Sequence, residues 1–259
     1  VDYLQALNKD ILVNVKIDTG TTRLGFKVAD VAEAVKYIES QKNLNIFSIF
    51  THYAESESEN QDFTKEQLEI FEKVNENYKK YKLHSACSAA SIALPEAQGE
   101  IIRIGLAFYG LWPSEPTKRR AWMSQVCLQP LMTWKTKVIQ VKELKKDDTI
   151  GYNRSYKCDK PCKVVVLPIG YNEGYDRLLS NNAEVLIKGE RCPVRGNICM
   201  NLTMVEIPND LEVEVGEVVT LLGTDSGQNI SADDLATKCQ TINYEIVTRI
   251  NPNLSRLIV

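Results

Sequence analysis

The stretch IIRIGLAFYGL, residues 101–111, reads as the last strand of a parallel α/β region, apolar on both faces except for Arg103 near its start. An unpaired guanidinium is very costly to bury, so Arg103 needs a partner that wants a cation or a donor. A second reading also stands at this point, in which Arg103 snorkels to the strand end and meets a surface carboxylate.

Working back from Arg103, strand and helix signals alternate with short connections. ILVNVKID (11–18) and IFSIFTHYA (46–54) read as strands, and so does HSACSAA (84–90). VADVAEAVKYIES (28–40) and FTKEQLEIFEKVNENYKKY (63–81) carry the period of amphipathic helices. Apolar strands alternating with helices indicate a parallel sheet covered on both faces or closed into a barrel. Four strands do not close a (β/α)₈ barrel, which needs eight. The strands end in polar residues, where parallel α/β folds gather their chemistry.

Working forward, residues 112–129 (WPSEPTKRRAWMSQVCLQ) break the pattern and read as a linker or crossover. Beyond them the alternation has period two, in runs at 130–144, 163–170, 183–190, 201–207 and 217–224. This predicts an all-β module. One helix is expected at 231–241, capped by Ser231 with Asp234 three residues on. The predicted domains are therefore 1–120, α/β, and 121–259, β-rich.

Composition excludes several classes. The 259 residues are 44% hydrophobic and 25% charged, as in ordinary globular domains. A net charge of -3 and a pI of about 5.6 give no electrostatic case for nucleic acid or an anionic membrane surface. No apolar run approaches the roughly 18 residues of a membrane span, and no signal-peptide pattern opens the chain. Residue 1 is Val, which leaves room for a longer precursor. Seven scattered cysteines argue for free thiols in a reducing, cytoplasmic compartment. Cys158 and Cys162 have ligand spacing, but no second Cys/His pair follows, and His52 and His84 are the only histidines. No metal site is expected.

Read in order, KIDTGTTRLGF (16–26), THYAES (51–56), HSACSAAS (84–91), IRIGLAFYGL (102–111), GYNRSY (151–156), PIGYNEGYDR (168–177), GNICMN (196–201) and TINYE (241–245) resemble the alanine racemase family. The resemblance runs the length of the chain. It implies a (β/α)₈ barrel followed by a β-domain, pyridoxal 5'-phosphate as cofactor, and a homodimer with shared active sites. Residues 1–120 would be the C-terminal half of the barrel, holding cofactor, and 121–259 would serve the partner's site.

The resemblance also assigns roles. Arg103 would face the pyridine nitrogen; because arginine keeps its protons, that nitrogen stays unprotonated and the ring is a weaker electron sink. Ser88, Gly105 and Leu106 would hold the phosphate at strand ends. Tyr152 matches the catalytic tyrosine that enters the other subunit's site. A phenol, ordinarily of pKa about 10, must be lowered to act as a base near neutrality. His52 would hydrogen-bond towards Tyr152 and Arg103, and Arg23 would place positive charge near the tyrosine and the substrate carboxylate. Lys16 matches a lysine often carbamylated in the family. Tyr171 matches a tyrosine of the entry path, and its reading as a packed aromatic stays open.

Three departures stand out. No motif like VKANAYGHG is present, so the first barrel strands and the Schiff-base lysine are expected to be missing. The family's Met-Asp pair is Met200-Asn201 here, a neutral amide that suits a substrate hydroxyl. Asn at this place resembles the serine/alanine racemases of vancomycin-resistant bacteria, whose catalytic domain follows a membrane domain on the cytoplasmic side. Pro252 stands near the position of a usual pocket tyrosine. The resulting expectation is interconversion of L- and D-serine or alanine by two bases, supplying D-amino acid for peptidoglycan precursors. The alternative is a non-catalytic fragment that binds pyridoxal phosphate.

Overall fold

The computed structural model describes residues 9–123 and 125–258. They divide after Pro130 into two units. That boundary falls later than the sequence suggests because Glu115–Met123, read as linker, is a helix packed on the helix Ser88–Ala93 of the first unit.

The first unit holds β1 (Ile11–Asp18), β2 (Phe26–Lys27), β3 (Leu44–Phe50) and β4 (Lys82–His84) in a four-stranded sheet of order β2-β1-β3-β4. Every pairing in it is parallel. Val15 and Ile17 of β1 point to one face, where they are buried with Val31, Val35 and Ile38 of the helix Val31–Glu39 and with Phe71 of the helix Asp62–Asn75. Strand periodicity sends Asn14 and Lys16 to the other face. The register sets Asn14 beside Ser48, and Lys16, Phe50 and His84 in one row across three strands.

Two predicted strands are much shorter than expected. HSACSAA is strand only to His84, and Ser88–Ala93 is a helix. In 101–110 a single parallel bridge, Cys87 to Arg103, is all that remains of the strand, and Leu106–Tyr109 is a 3₁₀ turn. Small residues and glycine at the strand ends let the backbone leave the ladder there. Ile102 and Ile104 are 47% and 41% exposed, so this segment is not buried on both faces.

The second unit is β-rich, as expected. It contains β5 (Trp134–Lys137), β6 (Gln140–Leu144), β7 (Thr149–Ile150), β8 (Tyr156–Lys157), β9 (Cys162–Leu167), β10 (Glu184–Ile187) and β11 (Glu190–Pro193). β12 (Thr203–Ile207), β13 (Val218–Asp225) and β14 (Gln228–Ile230) follow. One sheet runs β11-β10-β13-β14 with β5 added to β13, another runs β12-β9-β6, and β7 and β8 form a hairpin. The predicted run 130–144 is thus two strands serving different sheets. Ser231 and Asp234 make the expected capping box on the helix Ala232–Lys238, and a further helix, Asn243–Arg249, carries the NYE of TINYE.

The ends of β1 and β3 are tied by one side chain. Gln67, fully buried, donates to Thr19 Oγ1 at 3.2 Å and to His52 O at 3.3 Å, and accepts from Ala54 N–H at 2.9 Å. Thr19 and Thr51 share a 2.8 Å hydroxyl bond beside it. Truncation would strand these groups in a dry interior. Gln67→Ala is expected to cost about 2–3 kcal/mol, seen as a lower urea midpoint with an unchanged slope.

Candidate active site

Arg103 sits half-buried at the carboxyl ends of the parallel strands, and among the described residues its partners include no surface carboxylate. Nη2 donates to Thr51 O at 2.8 Å and Ser85 O at 3.0 Å, and lies 3.2 Å from His52 Nδ1. Nη1 donates to His84 Nδ1 at 2.5 Å and to His84 O at 3.3 Å. Among the described residues nothing takes the Nε–H. The Phe50 ring lies under the guanidinium, 5.2 Å from its carbon. Burial lowers the Arg103 pKa from its ordinary value, but arginine stays charged at any physiological pH.

His84 was not among the expected site residues, yet it carries much of this arrangement. Its ring stacks on Phe50 at 4.9 Å, and Nε2 is 2.9 Å from Ser48 Oγ. Ser48 in turn donates to Asn14 Oδ1. Because Nδ1 accepts from Arg103, the ring proton sits on Nε2, and all bonds run one way from Arg103 to Asn14. Burial, then the Arg103 charge, pushes the His84 pKa down to about 4. In the sequence His84 opens the expected strand 84–90, whereas in the structure it ends β4, so its position at a strand's carboxyl end was not a readable signal.

His52 is the second imidazole on Arg103. Burial first, then Arg103, Arg23 and Lys16, hold its pKa below the usual histidine range. With Nδ1 accepting from Arg103, its proton is on Nε2. Lys16 is also lowered, by burial and then by Arg23, with Asp18 opposing. Asp18 Oδ1 accepts the N–H groups of Gly20 and Thr22, each at 3.0 Å, which folds the TGTTR loop and sets Arg23 at its exposed tip.

Ser88 is buried, and its Oγ accepts from Gly105 N–H at 2.9 Å. Gly105's N–H is therefore spent on Ser88 and does not stand open for a phosphate, as the sequence reading expected. The Ser88 O–H remains to donate. Leu106 opens the 3₁₀ turn, so its N–H has no acceptor within that turn. The space over Gly105 is open: a Cβ there would meet only Ser88 Oγ, at 3.9 Å.

In the second unit three loops are laced together. Asn197 Nδ2 donates to Tyr152 O at 3.1 Å, Tyr171 N–H to Cys199 O at 3.1 Å, and Asn172 N–H to Met200 O at 3.0 Å. Only glycine fits at 170, where a Cβ would lie 2.1 Å from Cys199 O. Tyr152, Met200 and Tyr171 are 71%, 56% and 45% exposed, so Tyr171 is not a packed core aromatic. Asn201 is exposed beside them. Cys158 and Cys162, both buried, lie with sulfurs 3.6 Å apart.

A parallel α/β unit with hydrogen-bond donors at its strand ends, followed by a β-rich unit, is an arrangement found among α/β enzymes that gather their chemistry at strand ends. The comparisons with known proteins narrow it. The family described as "Alanine racemase, N-terminal domain" matches residues 1–113, and "Alanine racemase, C-terminal domain" matches 131–258. The alanine racemase of Methylacidiphilum infernorum is 42% identical over 248 residues, covering 96% of this chain and 62% of that protein. That of Clostridium perfringens is 35% identical, covering 99% and 67%. Among solved structures, alanine racemase from E. faecalis superposes with a TM-score of 0.86 at 29% identity, covering 96% of this chain and 68% of that one. A histidine racemase from Leuconostoc mesenteroides subsp. sake gives 0.89 at 28% identity, covering 100% and 69%. The chain spans less than two thirds of the length of the first of these relatives. It belongs to the alanine racemase family, whose members depend on pyridoxal 5'-phosphate.

The residues present fit that cofactor. Among the described residues the Arg103 Nε–H is unspent and suits a neutral ring nitrogen. The Ser88 hydroxyl lies beside the open space over Gly105, with the Leu106 N–H next in the chain, a donor pair that suits a phosphate. No described helix is long and apolar enough to cross a membrane.

The two histidines give a direct check on the electrostatics. Both are held below their ordinary pKa, so the unfolded chain binds more protons between about pH 4 and pH 6.5. Their stabilising contribution is complete above pH 6.5 and is lost as pH falls towards 4. Proton NMR of the imidazoles should show one titrating near 4 and the other below 6.5. A midpoint above 6.5 for either would contradict the network.

Proposed function

We propose that these residues are the cofactor-holding and substrate-bordering part of an amino-acid racemase that interconverts L- and D-serine, with alanine as the second substrate. The observation that carries the reading is a half-buried guanidinium that, among the described residues, meets no carboxylate and keeps its Nε–H unspent, beside the Ser88–Leu106 donors. When bound, pyridoxal phosphate acidifies the substrate α C–H. Arg103 would hold the ring nitrogen unprotonated, and Ser88 O–H and Leu106 N–H would bind the phosphate. Tyr152 is the proposed base on one face of the substrate, working in the partner's site of a homodimer. Its exposure in a single chain supports that placement.

His52 would offer its Nε2–H to the tyrosine, and Arg23 would keep the local potential positive. The lowered pKa of Lys16 raises its neutral fraction, which supports carbamylation by CO₂ as its role. The first unit is proposed as half of a (β/α)₈ barrel. Leu12, 67% exposed, and Phe47 lie on the uncovered face, where parallel sheets are ordinarily covered. The other half, with the second base, would be upstream sequence. Asn201 supports serine over alanine because its amide can meet a hydroxyl. A cytoplasmic site and a supply of D-amino acid to cell-wall precursors complete the proposal. The non-catalytic alternative has no observation favouring it.

Tyr152→Phe in the full-length protein should retain the cofactor's absorbance but lower kcat for L-serine to D-serine by about 10²–10⁴-fold. Unchanged turnover would remove Tyr152 from the reaction.

A further inference from the structure

Glu173 lies between the loops that present Tyr171, Met200 and Asn201, and no role above uses it. Its carboxylate collects three donors. Oε2 accepts the Gly170 N–H at 2.8 Å, and Oε1 accepts Asn172 Nδ2 at 2.9 Å and Asn201 Nδ2 at 2.8 Å. Its backbone oxygen accepts the Asn251 N–H at 3.1 Å, bringing in a further segment of the unit. Burial alone would raise the Glu173 pKa. The bonds from Asn172, Asn201 and Gly170 outweigh it and hold the group below the usual carboxylate range.

A carboxylate can only accept, so it decides which end of the neighbouring amide faces it. Asn201 must turn its NH₂ to Glu173. Its Oδ1 then points away, with no partner among the described residues. We propose that Glu173 is a positioning residue that fixes the Asn201 amide with its carbonyl oxygen outward, so that the site selects substrate side chains that donate a hydrogen bond. This rests on the racemase reading and deepens it: an unoriented amide presents donor or acceptor equally, whereas this one presents an acceptor. A hydroxyl satisfies it. A methyl group of the same size leaves a polar oxygen unpaired, and sites built to bond a hydroxyl discriminate strongly against analogues lacking one.

The test compares L-serine with the near-isosteric L-2-aminobutyrate in the full-length holoenzyme. The wild type should favour serine in kcat/KM. Glu173→Gln lets either amide end face Asn201, and should lower the serine:aminobutyrate ratio about tenfold. The double variant Glu173→Gln, Asn201→Asp should recover most of it, because the introduced amide then donates to the introduced carboxylate and an acceptor again faces outward. A ratio unmoved by Glu173→Gln, or equal losses on both substrates without rescue, would overturn the proposal. The Asn201 side-chain amide protons, followed by NMR, read the Glu173 contact without turnover. They should exchange slowly in the wild type and fast in Glu173→Gln, and no difference would overturn the positioning role. Absence of racemisation by the wild type, with the amide protected, would overturn the racemase reading and the selectivity while leaving Glu173's hold on Asn201 standing.

Discussion

The first unit depends on how a half-buried guanidinium is accommodated with no anion beside it among the described residues. Arg103 is surrounded by the carbonyls of Thr51, His84 and Ser85 and by two imidazole nitrogens. The Thr51 and Ser85 carbonyls lie just past the ends of β3 and β4, where the ladder stops, while His84 O also accepts the Thr51 N–H at 3.3 Å. The charge is spread over neutral dipoles, so no ion pair competes for the donor that remains. A carboxylate in the same place would hold the guanidinium more tightly and spend the Nε–H.

The same charge organises its neighbours. After burial, the larger cause, it helps keep both histidines neutral, and it fixes their tautomers, so that a bond chain runs from His84 through Ser48 to Asn14 on the sheet face opposite the helices. It also lowers Lys16, though burial and Arg23 contribute more. Cationic and neutral groups are thereby sorted within one sheet face: charge on Arg103 and Arg23, none on His52 and His84. In the second unit the logic is reversed. There an anion, Glu173, collects amide donors and sets the orientation of loops and side chains around it.

Much of this was legible in the sequence. β1 is where its alternation places it, from Ile11 to Asp18, because a run of branched residues with period two has one good conformation. The Ser231–Asp234 capping box is a local device and was equally readable. The strand at 101–110 was not, since an apolar run states burial but not the ladder that receives it, and Gly105 turns the chain out after a single bridge. The helix Glu115–Met123 was hidden by Pro116, which reads as a breaker yet sits in the first turn, where proline is tolerated. His84, Gln67 and Glu173 were missed for one reason. Each acts through at least one partner more than ten residues away, and such a partner has no signature in a local stretch.

The role proposed for Arg103 is to hold a pyridine nitrogen without giving it a proton. The direct measurement is the ¹⁵N chemical shift of ring-labelled pyridoxal phosphate bound to the full-length protein. The account predicts an unprotonated, hydrogen-bonded nitrogen whose shift does not change between pH 6 and pH 9, a window chosen to sit well below the arginine range of about 12 or more. A protonated pyridinium signal anywhere in that window would contradict it.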